Sequence, residues 1–248
     1  MSRFCALPRL IFKLVIVFSF TLYFANFVAA VDTVSTLKSQ ARDYYRGRGG
    51  EQSYEKALRL YLKAALRGDA EAQYISGGMY FEGLGTRKNF PAAFKLLHQA
   101  ALNGKSSSTS QQIIGQAFLL GSGVPKNYKE ALRWYALSAE NGNSEAQNEL
   151  GYMYFSGNGI KHDPEKAAEL FLRAAENGLA IAQYNMGILY YTGNGVQDTD
   201  LKKAYSWMNI AASNGHQPAI AARDFLETTL SKEELTQAQQ FSLTLQRK

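Results

Sequence analysis

Small and apolar residues recur at steps of three and four along most of the chain, which is the spacing of one face of an α-helix. In one segment the series is Ala72, Ser76, Met79 and Tyr80. Because the same pattern returns three more times, the sequence predicts four similar helices, with the sequences AEAQYISGGMYFEG, STSQQIIGQAFLLG, SEAQNELGYMYFSG and AIAQYNMGILYYTG.

A second kind of helical segment lies before the first of these helices and after each of them. Its copies share an alanine at one fixed position: Ala57, Ala93, Ala131, Ala167 and Ala204. Three residues later each copy has a bulky apolar residue: Leu60, Leu96, Trp134, Leu170 and Trp207. We call the two kinds the first and second helices of a unit, and their alternation predicts a series of helical hairpins.

Two series of glycines run in phase with the helices. One follows the second helices at Gly68, Gly104, Gly142, Gly178 and Gly215, with spacings of 36, 38, 36 and 37 residues. The other ends the first helices at Gly83, Gly121, Gly157 and Gly193, with spacings of 38, 36 and 36. A single hairpin cannot bury its apolar face, so this period predicts hairpins that stack on one another.

Several residues have predicted roles within the hairpins. Glycine at the end of each first helix suits a left-handed C-cap. Asp163 and Asp200 are predicted N-caps of second helices. A further glycine lies inside every first helix, at a cost of about 1 kcal/mol relative to alanine. This repeated cost predicts close approach of a neighbouring helix at Gly77, Gly115, Gly151 and Gly187.

The segment AEAQ…GYMYFSGNGI…DPEKAAELFLRAAENG resembles the Sel-one-like repeat, a relative of the tetratricopeptide repeat. The resemblance covers about residues 37–230 and is weaker where SSSTSQQ replaces AEAQ and two residues are inserted. It implies an all-α, right-handed solenoid of stacked hairpins with a concave groove. The implied activity is protein–protein interaction, often as an adaptor in secretory or envelope compartments.

The predicted domains follow the glycine series. In the first unit only the second helix is clearly indicated. The tail has a capping box of Ser231 and Glu234 and an apolar stripe of Leu235, Ala238, Phe241 and Leu245, which predicts a C-terminal capping helix. The expected bounds are a signal peptide at 1–30, a partial repeat at 31–68, repeats at 69–104, 105–142, 143–178 and 179–215, and a cap at 216–248.

The N-terminus has the pattern of an export signal. Three basic residues precede an uncharged run that ends in Val28-Ala29-Ala30, so we expect cleavage after Ala30. An uncleaved membrane anchor is the alternative, although the run of 17 residues from Leu14 to Ala30 is short for one. We therefore expect a periplasmic or secreted protein in a bacterium, or one of the endoplasmic reticulum lumen in a eukaryote.

Composition points to no catalytic chemistry. Without its signal the chain has a net charge of about +3 and no cysteine, which gives no reason to expect a nucleic-acid partner, a disulfide or a thiolate metal site. The three histidines, His98, His162 and His216, do not have the spacing of metal ligands. We expect no catalytic residue, no metal and no cofactor, and contact with a membrane only through an uncleaved signal segment.

The candidate binding residues come from the resemblance to tetratricopeptide repeats, which implies that four positions of each first helix turn toward the groove. Exposed aromatic and amide side chains on a rigid groove suit peptide recognition. Packing of the bulky ones against the second helix is the alternative. The candidates are Tyr74, Gln112, Gln116, Asn148, Tyr152, Phe155, Tyr184 and Tyr191.

These observations predict an exported, non-enzymatic scaffold or adaptor that binds proteins or peptides of unknown identity. One alternative is a cell-wall or glycan binding module, because aromatic platforms and amides also bind sugars. A less favoured alternative is a wall-related hydrolase, for which the repeats supply no cluster of polar residues with catalytic character.

Overall fold

The structure, a computed structural model, describes residues 33–246 of the 248-residue chain; the predicted signal peptide lies outside them. Within that range it contains twelve α-helices and no strand. The helices are α1 Val34–Arg46, α2 Tyr54–Ala65, α3 Ala70–Glu82, α4 Phe90–Leu102, α5 Ser108–Leu120, α6 Tyr128–Glu140, α7 Ser144–Ser156, α8 Pro164–Glu176, α9 Ala180–Thr192, α10 Leu201–Ser213, α11 Gln217–Thr229 and α12 Lys232–Gln246.

The first ten helices form five hairpins, in which each odd-numbered helix packs against the next even-numbered one. Each second helix also packs against the first helix of the following unit, so the hairpins are stacked. The predicted all-α solenoid is confirmed. The first unit, whose first helix the sequence indicates only weakly, has both helices, and α1 ends at Gly47 in the same left-handed conformation as its counterparts.

The core lies between the first and second helices of each unit. The five alanines at the fixed position of the second helices are all fully buried. Trp134 and Trp207, at the bulky position, are also buried. The second helix thus has a small residue at one buried position and a large one three residues later. The small residue lets the first helix approach closely, and the large one fills the space beside it.

The predicted caps are confirmed. Asp163 and Asp200 accept hydrogen bonds from the backbone N–H groups of Lys166 and Lys203, at 3.0 and 2.9 Å. The Ser231 hydroxyl accepts from the Glu234 backbone N–H, and the Glu234 carboxylate accepts from the Ser231 N–H. These bonds pair backbone donors at helix starts that have no partner within the helix.

The glycines inside the first helices allow the predicted close approach. A Cβ atom on Gly77 would lie 2.8 Å from Leu97 Cγ of the second helix, and one on Gly187 would lie 2.6 Å from Met208 Cγ. Both separations are shorter than any ordinary carbon–carbon contact. Glycine is therefore retained at this position because the two helices of a hairpin touch there.

A buried glutamine lies at each of the four junctions between successive hairpins. Gln183 donates to the Ala175 carbonyl, at the end of the preceding second helix, and accepts from Asn214, at the end of its own second helix, at 3.1 and 2.9 Å. Gln147 makes the bond to Ala139, but its Oε1 has no hydrogen-bond partner within residues 33–246. The equivalent side chains are Gln73 and Gln111.

The last two helices both pack on α10 and thereby close the stack. On α12 the buried residues are Ala238 and Ser242, whose hydroxyl donates to the Ala238 carbonyl. Phe241, predicted as part of the buried stripe, is exposed. The prediction was wrong because a hydroxyl that can bond to its own helix fits the tight contact with α10 better than a ring does.

Two adjacent glycines of α3 give opposite predictions for stability. Replacing Gly78 with alanine should raise the free energy of unfolding by about 1 kcal/mol, because a Cβ there meets nothing within 4 Å and alanine favours a helix. Replacing Gly77 with alanine should lower it, because Leu97 has to move. Urea unfolding followed by circular dichroism measures both, and losses of equal size would contradict the assignment.

The glutamines offer a second comparison. Changing Gln183 to leucine should cost about 1 kcal/mol more than changing Gln147 to leucine, because it also leaves the Asn214 amide without its acceptor. Both glutamines are buried to a similar extent, so each serves as the control for the other. Equal shifts in the urea midpoint would show that the bond to Asn214 contributes little.

Candidate binding groove

Four positions of each first helix lie on one side of it. On α7 they are Asn148, Tyr152, Phe155 and Ser156, at spacings of four, three and one. Residues at such spacings share one face of a helix. Because the hairpins are stacked in register, the equivalent residues form four columns along the stack. We call the surface formed by these columns the groove face.

Three of the predicted binding residues are well exposed on the groove face. Tyr152 is 54% exposed and Tyr191 is 43% exposed, and Gln116 is also exposed. Leu120, in a neighbouring column, is 66% exposed. Large apolar side chains that remain in contact with water in successive units form a surface suited to a partner.

Four other predicted residues are half-buried. Tyr74 donates its hydroxyl hydrogen to Ser107 Oγ at 3.1 Å, and the ring of Tyr184 packs on His216 with centroids 4.8 Å apart. Phe155 packs against the core, and Gln112 is partly covered. One side of each of these side chains contacts the protein and the other side is exposed to solvent. They therefore line the groove face and do not project from it.

Asn148 is not exposed, and the expectation that it faces the groove is wrong. Its side chain is 4% exposed, and its Oδ1 accepts a hydrogen bond from Asn185 of the next unit at 2.9 Å. Its neighbour Glu149 is largely covered as well, and burial raises the pKa of that carboxyl. Asn148 therefore joins two first helices instead of meeting a partner.

Phe225 of α11 is an exposed groove residue that the sequence analysis missed. It is 56% exposed, and its ring meets the ring of Tyr191 edge-on with centroids 6.4 Å apart. It lies ten residues after Gly215, as Tyr152 lies ten residues after Gly142. Continuing the repeat register past Gly215 would have found it. We call the residues Tyr152, Phe155, Ile188, Tyr191 and Phe225 the aromatic patch.

The opposite end of the groove face is basic. In α1 three of the four column positions are occupied by Lys38, Arg42 and Arg46, and the fourth is occupied by Tyr45. Lys38 forms ion pairs with Asp69 and Glu71, while Arg42 is 4.0 Å from Glu71 and remains accessible. The groove face therefore changes from cationic in the first unit to aromatic in the last three.

Residues 33–246 contain no group of three or more His, Cys, Asp or Glu side chains arranged to hold a metal ion. Over this range, no helix has the length and apolar character needed to span a bilayer.

Comparison with known proteins identifies the repeat. The family model of the Sel1 repeat matches residues 41–69, 70–105, 108–143, 144–179 and 180–216. An F-box protein of Arabidopsis thaliana is 36% identical over 110 residues, which are 44% of this chain and 29% of that protein.

Two solved structures are similar over most of the chain. One is c5321, a protective antigen of uropathogenic Escherichia coli strains, with 30% identity and a TM-score of 0.71 over 86% of this chain and 45% of the antigen. The other is a Sel1 repeat protein of Oxalobacter formigenes, with 31% identity and a TM-score of 0.64 over 82% of this chain and 87% of that one. The chain thus spans less than half of the antigen and under a third of the F-box protein. The five matched repeats, which take up most of the sequence, show that the chain belongs to the Sel1 repeat family.

Proposed function

We propose that this protein is an exported, non-enzymatic scaffold that binds a protein or peptide partner on its groove face. The observation that carries the proposal is the aromatic patch, in which Tyr152, Tyr191 and Phe225 remain exposed in three successive units. Aromatic side chains bury a large area with little loss of rotamer freedom, so they are effective anchors at protein interfaces.

Three of the groups that could perform chemistry have structural roles instead. Asp163 caps α8, and the Nδ1 atom of His162 is 2.7 Å from the Phe155 carbonyl oxygen. His98 lies in a cluster of rings with Phe94 and Trp134, where burial lowers its pKa. A neutral imidazole packed between rings suits a core position. These roles favour a scaffold over an enzyme.

The groove face is tested by removing two side chains of the aromatic patch. Changing Tyr152 and Phe225 together to alanine should weaken binding of the partner at least thirtyfold, since one buried aromatic anchor contributes about 2 kcal/mol. The melting temperature should stay nearly unchanged because both rings are more than half exposed. The partner is first identified by proximity labelling in the host, and its affinity is then measured with purified proteins.

The matched control removes exposed apolar side chains elsewhere. Leu66 and Leu102, which are 89% and 66% exposed at the ends of second helices, lie outside the four columns. Their joint replacement by alanine should leave affinity within about twofold. If the aromatic variant binds normally, the interface lies on another face. If wall glycans instead of a protein show the same dependence on the patch, the partner class is wrong.

Export has its own test. The basic start, uncharged run and small residues before Val31 support removal of residues 1–30. Mass spectrometry of the intact protein from the exported fraction should show a chain that begins at Val31. A chain that retains Met1 in the membrane fraction would favour the anchor.

A further inference from the structure

One position of the groove face lacks a side chain. The column that contains Tyr152 and Phe225 has a side chain in every other unit, whereas the second unit has Gly78. The members of this column, from α1 to α11, are Arg42, Gly78, Gln116, Tyr152, Ile188 and Phe225.

Packing within the fold does not require glycine at this position. A Cβ on Gly78 would meet nothing within 4 Å, whereas one on the adjacent Gly77 would be 2.8 Å from Leu97. Gly78 also lies in the middle of α3, where glycine disfavours the helix. The fold gains nothing from the missing side chain, and its effect is to leave open the surface above it.

That surface is an apolar pocket of about 290 Å³. Its walls include Tyr74, Phe81, Leu84 and Ile113, and Leu97 also lines it. The Tyr74 ring is held in place by its hydrogen bond to Ser107. A volume at the lower end of the range for ligand sites suits one side chain better than a whole small molecule.

A second apolar pocket of about 160 Å³ adjoins the first and shares Phe81 and Ile113 with it. The two pockets lie between α3 and α5, where the linker has two more residues between Gly104 and the next N-cap than the linkers after Gly68 and Gly142. The groove face therefore has a pair of adjacent depressions at this junction.

Exposed cations lie close in the sequence to residues that line the pockets, although the charged residue in the lining itself is an acid, Glu82. The loops that follow α1, α3 and α5 contain Arg48, Arg87, Lys88 and Lys126, and all four are exposed. Within residues 33–246, neither these four nor Arg46 forms an ion pair with a carboxylate. Three exposed acids, Glu51, Glu55 and Glu82, lie in the same region, so the five cations outnumber the anions there.

We propose that this junction docks an acidic, extended segment of a protein partner, which places one apolar side chain in the pocket above Gly78. Alternate side chains of an extended segment point to the same side, so carboxylates two positions before and after the apolar residue face the protein, where Arg46, Arg87 and Lys88 are exposed. Carboxylates in the partner would balance the unpaired cations, while its apolar side chain fills the pocket. The inference rests on the proposed function and names the chemistry of the partner.

The test begins with a selection. A phage library of random nine-residue peptides is selected on the full-length protein, and enriched peptides are synthesised with a fluorescent label. We expect a consensus with one Leu, Met or Phe flanked by Asp or Glu. Their affinities are measured by fluorescence polarisation at two salt concentrations, because contacts between exposed charges weaken as salt increases.

Substitutions locate the binding site. Gly78→Tyr should reduce the affinity of the consensus peptide at least thirtyfold, because the new ring occupies the pocket. Leu102→Tyr, at an exposed second-helix end outside the four columns, is the matched control and should change affinity less than twofold. Arg46→Glu combined with Arg87→Glu should weaken binding about tenfold or more and reduce its dependence on salt. Circular dichroism and thermal melts confirm that each variant folds.

The outcomes separate this inference from the proposed function. If enriched peptides lose affinity when Tyr152 and Phe225 are replaced but not with Gly78→Tyr, the groove face binds peptides and the pocket proposal is wrong. A neutral or basic consensus would overturn the acidic partner, and a selection without any enriched sequence would overturn the pocket as a peptide site. If Gly78→Tyr weakens peptide binding and replacement of Tyr152 and Phe225 does not, the pocket proposal is supported and the proposed role of the aromatic patch is wrong.

Discussion

A buried glutamine amide is the interaction on which the arrangement of the stack depends. Each end of Gln183 is bonded to a different second helix, one in the preceding unit and one in its own. A polar group taken out of water has to be paired, and a small slip between units would leave the amide N–H group of Gln183 without its acceptor, the Ala175 carbonyl. The apolar contacts hold the hairpins together with little directional preference, and the glutamine selects one register from the many that they allow.

A fixed register makes the groove face possible. It keeps equivalent positions of the first helices in line, so that a column is a real row of neighbours and not only a pattern in the sequence. The buried alanine of the second helix is the same in all five units, whereas the column that contains Tyr152 has a different residue in every unit, from Arg42 through Gly78 and Gln116 to Tyr152 and Phe225. The fold and the binding surface can therefore change independently, because they use different residues of the same helices.

The features that could be predicted from the sequence are those with local causes. The cap at Asp163 and the glycine at the close contact of each hairpin depend on residues a few positions away or on the repeat itself. Asn148 could not be placed correctly because its partner, Asn185, is 37 residues away and has no counterpart in the other units. Phe225 was missed because α11 ends at Leu230 in an extended conformation and lacks the terminal glycine that marks the other first helices.

The longer linker after Gly104 has a consequence for the identity of each unit. Similar units stacked through identical bonds would be interchangeable, and a growing chain could pair the wrong neighbours with almost no penalty. At this junction Gln111 bonds to the hydroxyl of Ser106 within the inserted segment, whereas Gln73, Gln147 and Gln183 bond to a helix carbonyl. The joint between the second and third units therefore differs from the other joints. Such an irregular joint distinguishes two otherwise similar hairpins. It therefore favours pairing of the correct neighbours when the array assembles.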